Sequence, residues 1–264
     1  MKYLSVFLIT LSLVACGGGS SNPKSSLGFS QEELANTIWI SKSLLNVDTN
    51  RNIPLGAVEI EGSIDIFNTG GILREFPLTR ENKNGRASGH AEYVDSPYTV
   101  LTDGQIQIDY AGLGICTTKK ERESNTELDI SGKCPSLSNL FDTVLKPLEF
   151  DSSFLQGKRI SIQSGSTGQV FDFANDGTFE ENPIFGAGLI SGIFLDSKYK
   201  NVVRLNFSSY AGIKDHSLFF LVAGNLSSGK VVEIRYLIDD LLDGVYIHTV
   251  NSTGSWVTNN VYIN

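Results

Sequence analysis

Gln105-Ile-Gln-Ile-Asp-Tyr110 sets Ile106, Ile108 and Tyr110 on alternate positions, with Gln105, Gln107 and Asp109 between them. A period of two sends one face to a core and the other to water, the signature of an antiparallel strand. The same alternation recurs in Val202 to Phe207, where Val203, Leu205 and Phe207 flank Arg204 and Asn206, and in Val232, Ile234 and Tyr236 around Glu233 and Arg235. Turn chemistry separates these runs at short intervals: Asn68-Thr69-Gly70-Gly71, Asn84-Gly85, Asp103-Gly104, Asn175-Asp176-Gly177, Ser228-Gly229 and Asp243-Gly244. Asn-Gly and Asp-Gly supply the positive φ angles that tight hairpins require. The expectation is an all-β chain folded as an antiparallel meander.

Two stretches read as helix. Ser30-Gln31-Glu32-Glu33 fits a capping box, in which the serine hydroxyl and the glutamate carboxylate satisfy each other's backbone N–H groups. Leu137, Leu140, Phe141, Val144 and Leu145 fall at three- and four-residue spacing between Pro135 and Pro147, which predicts a short amphipathic helix. Leu218-Phe-Phe-Leu-Val222 is apolar without alternation, so a strand there must be covered on both faces, by barrel interior plus a contact between modules or by a partner packed on the barrel's outside.

An internal repeat organises the chain. Leu34-Ala-Asn-Thr-Ile-Trp39 corresponds to Leu155-Gln-Gly-Lys-Arg-Ile160, and Asp65-Ile-Phe-Asn-Thr-Gly70 to Asp172-Phe-Ala-Asn-Asp-Gly177. Ser88-Gly89 with Asp95-Ser96-Pro97-Tyr98 echoes Ser191-Gly192 with Asp196-Ser197-Lys198-Tyr199. Order is kept and spacing is not, with an insertion near Asn46 to Glu59 in the first half. The expected organisation is two β modules, 30–148 and 149–264. The second, with Phe171-Asp-Phe-Ala-Asn-Asp-Gly-Thr-Phe179 and Gly192-Ile-Phe, resembles the lipocalin-like modules of bacterial secreted proteins, and the first half resembles them more faintly from Leu34 to Ala111. That resemblance implies small up-and-down β-barrels or sandwiches with one or two short helices. It also implies an interior ligand pocket. The first-strand tryptophan of such modules is represented by Trp39, and Ile160 or Ile162 stands there in the second half.

The N-terminus indicates where the protein resides. Met1-Lys2 carries a positive charge, Tyr3 to Val14 is almost wholly apolar, and small residues close the run, the order of a secretory signal. A dozen apolar residues are too few to span a bilayer, which takes about 20. Leu13-Val14-Ala15-Cys16 resembles the lipobox of bacterial lipoproteins. The resemblance implies removal of residues 1–15, a diacylglyceryl group on the sulfur of Cys16, and acylation of its new amine. At about 0.8 kcal/mol per buried CH₂, two or three acyl chains make such an anchor nearly permanent. Residues 16–29, rich in Gly and Ser, read as a flexible tether, and Gly17 after the cysteine favours the outer membrane without choosing its face.

The chain has 264 residues with 41% hydrophobic and 19% charged side chains, enough to bury a sizeable core. Its net charge of -8, with no long basic cluster, argues against nucleic acid as a partner. With Cys16 lipidated, Cys116 and Cys134 remain, and in an oxidising envelope compartment two such cysteines most simply pair. The polar, charged segment between them then reads as a stapled surface excursion. A metal or redox role for the pair has no support, since there is no CxxC and no histidine nearby.

Motifs for catalysis are missing from the sequence. His90, His216 and His248 occur in no metal-ligand spacing, and Ser164-Gly-Ser-Thr-Gly168 lacks the spacing of a nucleophile elbow. Asp48-Thr-Asn50-Arg-Asn52 and Asp239-Asp240 with Asp243 place oxygen ligands close together but complete no calcium loop. No cofactor, metal or catalytic residue is assigned. The functional expectation is a non-enzymatic lipoprotein, held in the outer membrane by its lipid and binding a small or lipidic ligand or an envelope component. The alternative is a structural or adhesive surface protein acting through protein contacts. An interior cavity with convergent polar groups separates the two.

Overall fold

A computed structural model of the chain describes residues 28–46, 54–82, 87–91, 93–135, 137, 139–148, 150–164, 167–183, 190–200, 202–207, 217–223, 230–235, 244–250 and 256–263. The fold is all-β, and each half closes on itself. The first half comprises α1 (Gln31–Leu34), β1 (Thr37–Ser41), β2 (Val58–Phe67), β3 (Ile72–Asn82), β4 (Ala87–Ala91), β5 (Val94–Val100), β6 (Ile106–Tyr110), β7 (Gly114–Glu123), β8 (Glu127–Lys133) and β9 (Leu140–Leu145). β4 and β5 pair with β3 in one continuous register, Leu78 with Ala91 and Glu75 with Val94, so they act as a single interrupted strand. Because β2 pairs with both β1 and β3, and β9 with both β8 and β1, the sheet closes as an antiparallel barrel.

The second half follows with α2 (Ser152–Leu155), β10 (Arg159–Ser164), β11 (Thr167–Phe173), β12 (Thr178–Pro183), β13 (Ile190–Asp196), β14 (Val202–Phe207), β15 (Ser217–Ala223), β16 (Lys230–Arg235), β17 (Gly244–Val250) and β18 (Trp256–Ile263). Each strand pairs antiparallel with the next, and the odd count makes the closing pair, β10 with β18, parallel. Closure removes the exposed edges that would otherwise template aggregation.

Both barrels begin in the same way. In each, a one-turn helix places a fully buried leucine, Leu34 or Leu155, against the end of the barrel. The chain then turns through a left-handed residue, Asn36 at φ 55° or Gly157 at φ 66°. Asparagine and glycine are the residues that adopt this conformation at least cost. At the following hairpin the carbonyl of Gly71 accepts from Tyr98 N–H at 2.7 Å, and that of Gly177 from Phe194 N–H at 2.9 Å. Phe67 meets Tyr98 edge to face at 5.2 Å and 87°, and Phe173 meets Phe194 at 5.2 Å and 88°. The register corrects the sequence correspondence by one residue. Trp39 faces Asp65, and Ile160 faces Phe171, so Asp65 is matched by Phe171 rather than Asp172. Likewise Tyr98 is matched by Phe194 and not by Tyr199.

The helix expected from Leu137 to Leu145 is not formed. Leu140 to Leu145 is strand β9, pairing with β8 on one side and β1 on the other. A helix there would leave the edges of β1 and β8 unpaired, and closing the barrel outweighs a local period of 3.6. The segment between the cysteines is likewise not an excursion: β7 and β8 are two strands of the barrel wall, with Leu128 of β8 completely buried in the barrel core. Cys116 and Cys134 are bonded, S–S 2.05 Å, where β7 begins and β8 ends.

The two barrels share an outer wall. Ile38 and Ile40 of β1, Ile64 and Ile66 of β2, and Phe76 and Leu78 of β3 pack with Val202, Val232 and Ile234 of the second barrel. This explains why all five residues of β1 are buried: Trp39 points into its own barrel while Ile38 and Ile40 are covered from outside. Lys200 N–H also donates to Asn36 O at 2.6 Å, joining the plugged ends of the two barrels. β15 carries the apolar run 218–222 between β14 and β16, with Phe220 in register with Val202 and Val232 of that shared wall. Among the described residues, no helix is long and apolar enough to cross a membrane.

Candidate binding site inside the first barrel

The plugged end of the first barrel is tightly made. Ser30 caps α1 by accepting from Glu33 N–H at 3.0 Å, but the reciprocal half of the expected capping box is not formed. The Glu33 carboxylate accepts from Lys120 Nζ at 2.8 and 2.9 Å. Lys120 is an inward-pointing side chain, 7% exposed, that also reaches Glu123 at 3.2 Å and lies over the Phe29 ring. A register shift in β7 between Lys120 and Arg122 allows Lys120 and Glu123 to approach. Gln31 donates to the Tyr98 hydroxyl at 2.9 Å, which in turn donates to Asn68 O at 3.1 Å.

Beneath this plug the barrel is hollow. A cavity of about 170 Å³ runs from Trp39 and Phe67 toward Leu140 at the opposite end, where Leu140 is 51% exposed. Its walls are largely apolar, with Leu73, Ile108, Leu128 and Val144 among them. Into them project three carboxylates from three strands: Asp65 on β2, Glu75 on β3 and Asp142 on β9. Among the described residues, no lysine, arginine or histidine lines the space. Asp65 and Glu75 are direct cross-strand partners, so their side chains leave the wall on the same face at the same height.

Each carboxylate is supported to a different degree. Asp142 accepts from the Ser41 hydroxyl at 2.7 Å and from Thr143 N–H at 2.7 Å. Glu75 accepts from the Tyr110 hydroxyl at 2.9 Å. The Ser63 hydroxyl lies beside Asp65, yet Asp65 Oδ1 is buried with no hydrogen-bond partner. Burial, then the charges of Glu75 and Asp142, push the Asp65 carboxyl well above the ordinary range. Burial likewise raises Glu75, against the lowering effect of Tyr110, and raises Asp142 against that of Ser41. Burial and the neighbouring Glu75 and Asp65 push the Tyr110 phenol up, which keeps it a neutral donor. Such a site offers acceptors and apolar surface to whatever enters it.

The second barrel fills the matched positions of this space with apolar side chains while keeping two buried carboxylates of its own, Glu181 and Glu233, the latter against the expectation of a wet face for it. At the matched positions Trp39, Asp65, Leu73 and Tyr98 become Ile160, Phe171, Phe179 and Phe194, and these pack with Phe173 into one largely aromatic cluster under α2. Gly192 is required there, because a Cβ would sit 2.6 Å from the Phe179 ring and 2.0 Å from Asn206 O. Glu75 keeps its counterpart, the buried Glu181 opposite Phe171.

Cys16 and the two acidic stretches at 48–52 and 239–243 lie outside the described residues, as do His216 and the side chains of His90 and His248. The Cys116–Cys134 bond does not line the cavity. Among the described residues, no three His, Cys, Asp or Glu side chains gather in a metal-ligating arrangement. A second, open groove between Lys42 and Phe141 shares Ile130 and Asp142 with the cavity, and its cations are already paired, Arg122 with Asp129 at 2.6 Å and Lys42 with Glu127 at 2.9 Å. Sequence reading missed Asp65, Glu75 and Asp142. The available signal was a carboxylate inside an apolar alternating run, as in Ser63-Ile-Asp-Ile-Phe67. Compared with known proteins, the chain matches no family model, no curated protein and no solved structure.

Proposed function

We propose that the protein is a non-enzymatic lipoprotein of the bacterial cell envelope, tethered to the outer membrane through Cys16, whose first barrel carries a small amphipathic molecule. The observation that carries the ligand reading is the cavity of about 170 Å³ on which Asp65, Glu75, Asp142 and Tyr110 converge. Cavities of about 150 Å³ hold one benzene-sized molecule, so the space suits a compact ligand and not a whole lipid. A barrel meant only as a spacer is served by a filled interior, as under α2 of the second barrel. Asp65 has no packing role that Phe171 does not perform at the matched position. The anchor reading rests on the lipobox resemblance around Cys16 and on the oxidised Cys116–Cys134 pair, which suits an envelope compartment.

A structural or adhesive role is the second reading, favoured by the exposed apolar side chains near the disulfide, Ile115 at 55% and Phe141 at 75%. Two measurements test the proposal. Metabolic labelling with an alkynyl fatty acid must mark the full chain and not its Cys16→Ala variant; unlabelled wild-type protein ends the anchor reading. Native mass spectrometry of the full chain must show a small adduct that denaturation releases, or binding of added benzyl-sized compounds. A chain that is repeatedly bare and binds none of them leaves the adhesive reading.

A further inference from the structure

The cavity's own chemistry narrows the ligand class, a narrowing that rests on the proposed binding role of the first barrel. Three carboxylates in an apolar interior without a basic partner are costly, because a buried charge is tolerated only when paired or hydrogen-bonded. The barrel does not need Asp65: Phe171 occupies its matched position in the second barrel and fills it. Asp65 Oδ1 is buried and unpartnered on the cavity, while Tyr110, the phenol on β6, is committed to Glu75. What the site lacks is a donor with positive charge. A metal ion does not meet this need, since the three groups do not gather in a ligating arrangement and the remaining wall is mostly apolar.

We infer that the first barrel binds a small organic cation, a primary ammonium on a compact apolar body of about benzene size. The ammonium sits between Asp65 and Glu75, donating to the free Oδ1 of Asp65, and the body lies against Trp39, Leu73, Ile108 and Leu128 toward Leu140. Three N–H donors on one ammonium match the acceptors of Asp65 and Glu75, with Asp142 as the third charge of the site. The aromatic face of Trp39 on the same cavity favours a cation further. Carboxylate-bearing molecules are repelled, and neutral isosteres offer Oδ1 at most a single uncharged hydrogen bond.

The test is titration calorimetry of the full chain at neutral pH with benzylamine, benzyl alcohol and benzoate, which share a ring and differ in charge. Benzylamine should bind at least about tenfold tighter than benzyl alcohol, the margin of a charge-assisted hydrogen bond, and benzoate should not bind. Asp65→Asn should erase the amine preference by about the same factor while leaving benzyl alcohol affinity unchanged, and Glu75→Gln should reproduce this independently. Equal affinity for amine and alcohol would overturn the cation while the cavity reading stands. The cation would equally be overturned if Asp65→Asn left benzylamine binding unchanged, showing that Asp65 and Glu75 merely share a proton. No binding of any of the three by folded protein would overturn the cavity reading as well.

Discussion

Asp65 and Glu75 stand directly opposite each other across β2 and β3, both turned into the barrel. Like charges in such a cross-strand pair oppose folding, and here burial adds to the repulsion. The pair is therefore a place where the empty barrel gives up stability for chemistry.

The cost is measurable as pH dependence. Asp65 faces Glu75 on β3, Asp142 on β9, Tyr110 on β6 and Ser63 on its own strand, and its carboxyl, like those of Glu75 and Asp142, is raised on folding. The native state then holds protons that the unfolded chain has released, so stability falls as pH rises from about 4, the ordinary carboxylate value, through the raised native values. Thermal unfolding of ligand-free protein from pH 4 to 8 should show this decline, and Asp65→Asn should flatten it and raise Tm at neutral pH by several degrees, about 1–2 kcal/mol. A lower Tm for Asp65→Asn would show that the charge is stabilising.

Reducing the Cys116–Cys134 bond frees a wall hairpin with a sequence separation of 18. Loss of the constraint on the unfolded chain should cost roughly 3 kcal/mol. Urea unfolding with and without reductant gives the difference, and intact mass should rise by two hydrogens on reduction.

Lys120 is the buried cation of the plugged end, shared by Glu33 and Glu123. Lys120→Met leaves Glu33 without its partner and should destabilise by about 1–2 kcal/mol, less than a fully buried pair because Glu33 keeps access to water. Hydrogen exchange at Leu34 and Ala35, whose amides donate to Ser30 O and Gln31 O, should accelerate if Lys120 holds α1 in place.

Gly192→Ala drives a methyl into Asn206 O and the Phe179 ring, and the second barrel should fail to reach its native packing. Gly70→Ala, with nothing within 4 Å of the added carbon, should remain within about 0.5 kcal/mol of the parent. Near-ultraviolet circular dichroism and denaturant midpoints of the two variants test the contrast.

The strand pattern was legible where one face of a strand meets water, as in β6, whose Ile106 and Ile108 are buried while Asp109 is exposed. It was illegible where both faces are covered. In β9 Val144 faces its own core and Leu145 the shared wall, so apolar residues fall next to one another and imitate a helix. That misreading also hid Asp142, which lies off the imagined stripe but on the same strand face as Leu140 and Val144. The repeat was visible in its turns, yet aligning Asp65 with Asp172 placed a cavity acid opposite an outer-wall residue, one paired with Arg159. Only strand register separates inside from outside by a single step.

Strand parity also sets which end of the first barrel the rest of the chain occupies. Strands alternate around the first barrel and close antiparallel, so the incoming chain at Phe29 and the outgoing linker at Lys146 meet at the same end, beside α1. The barrel is gripped by its base. Under the proposed anchored-carrier reading, the attachment then acts on the closed end of the barrel, and the end at Leu140 lies on the far side from both chain connections.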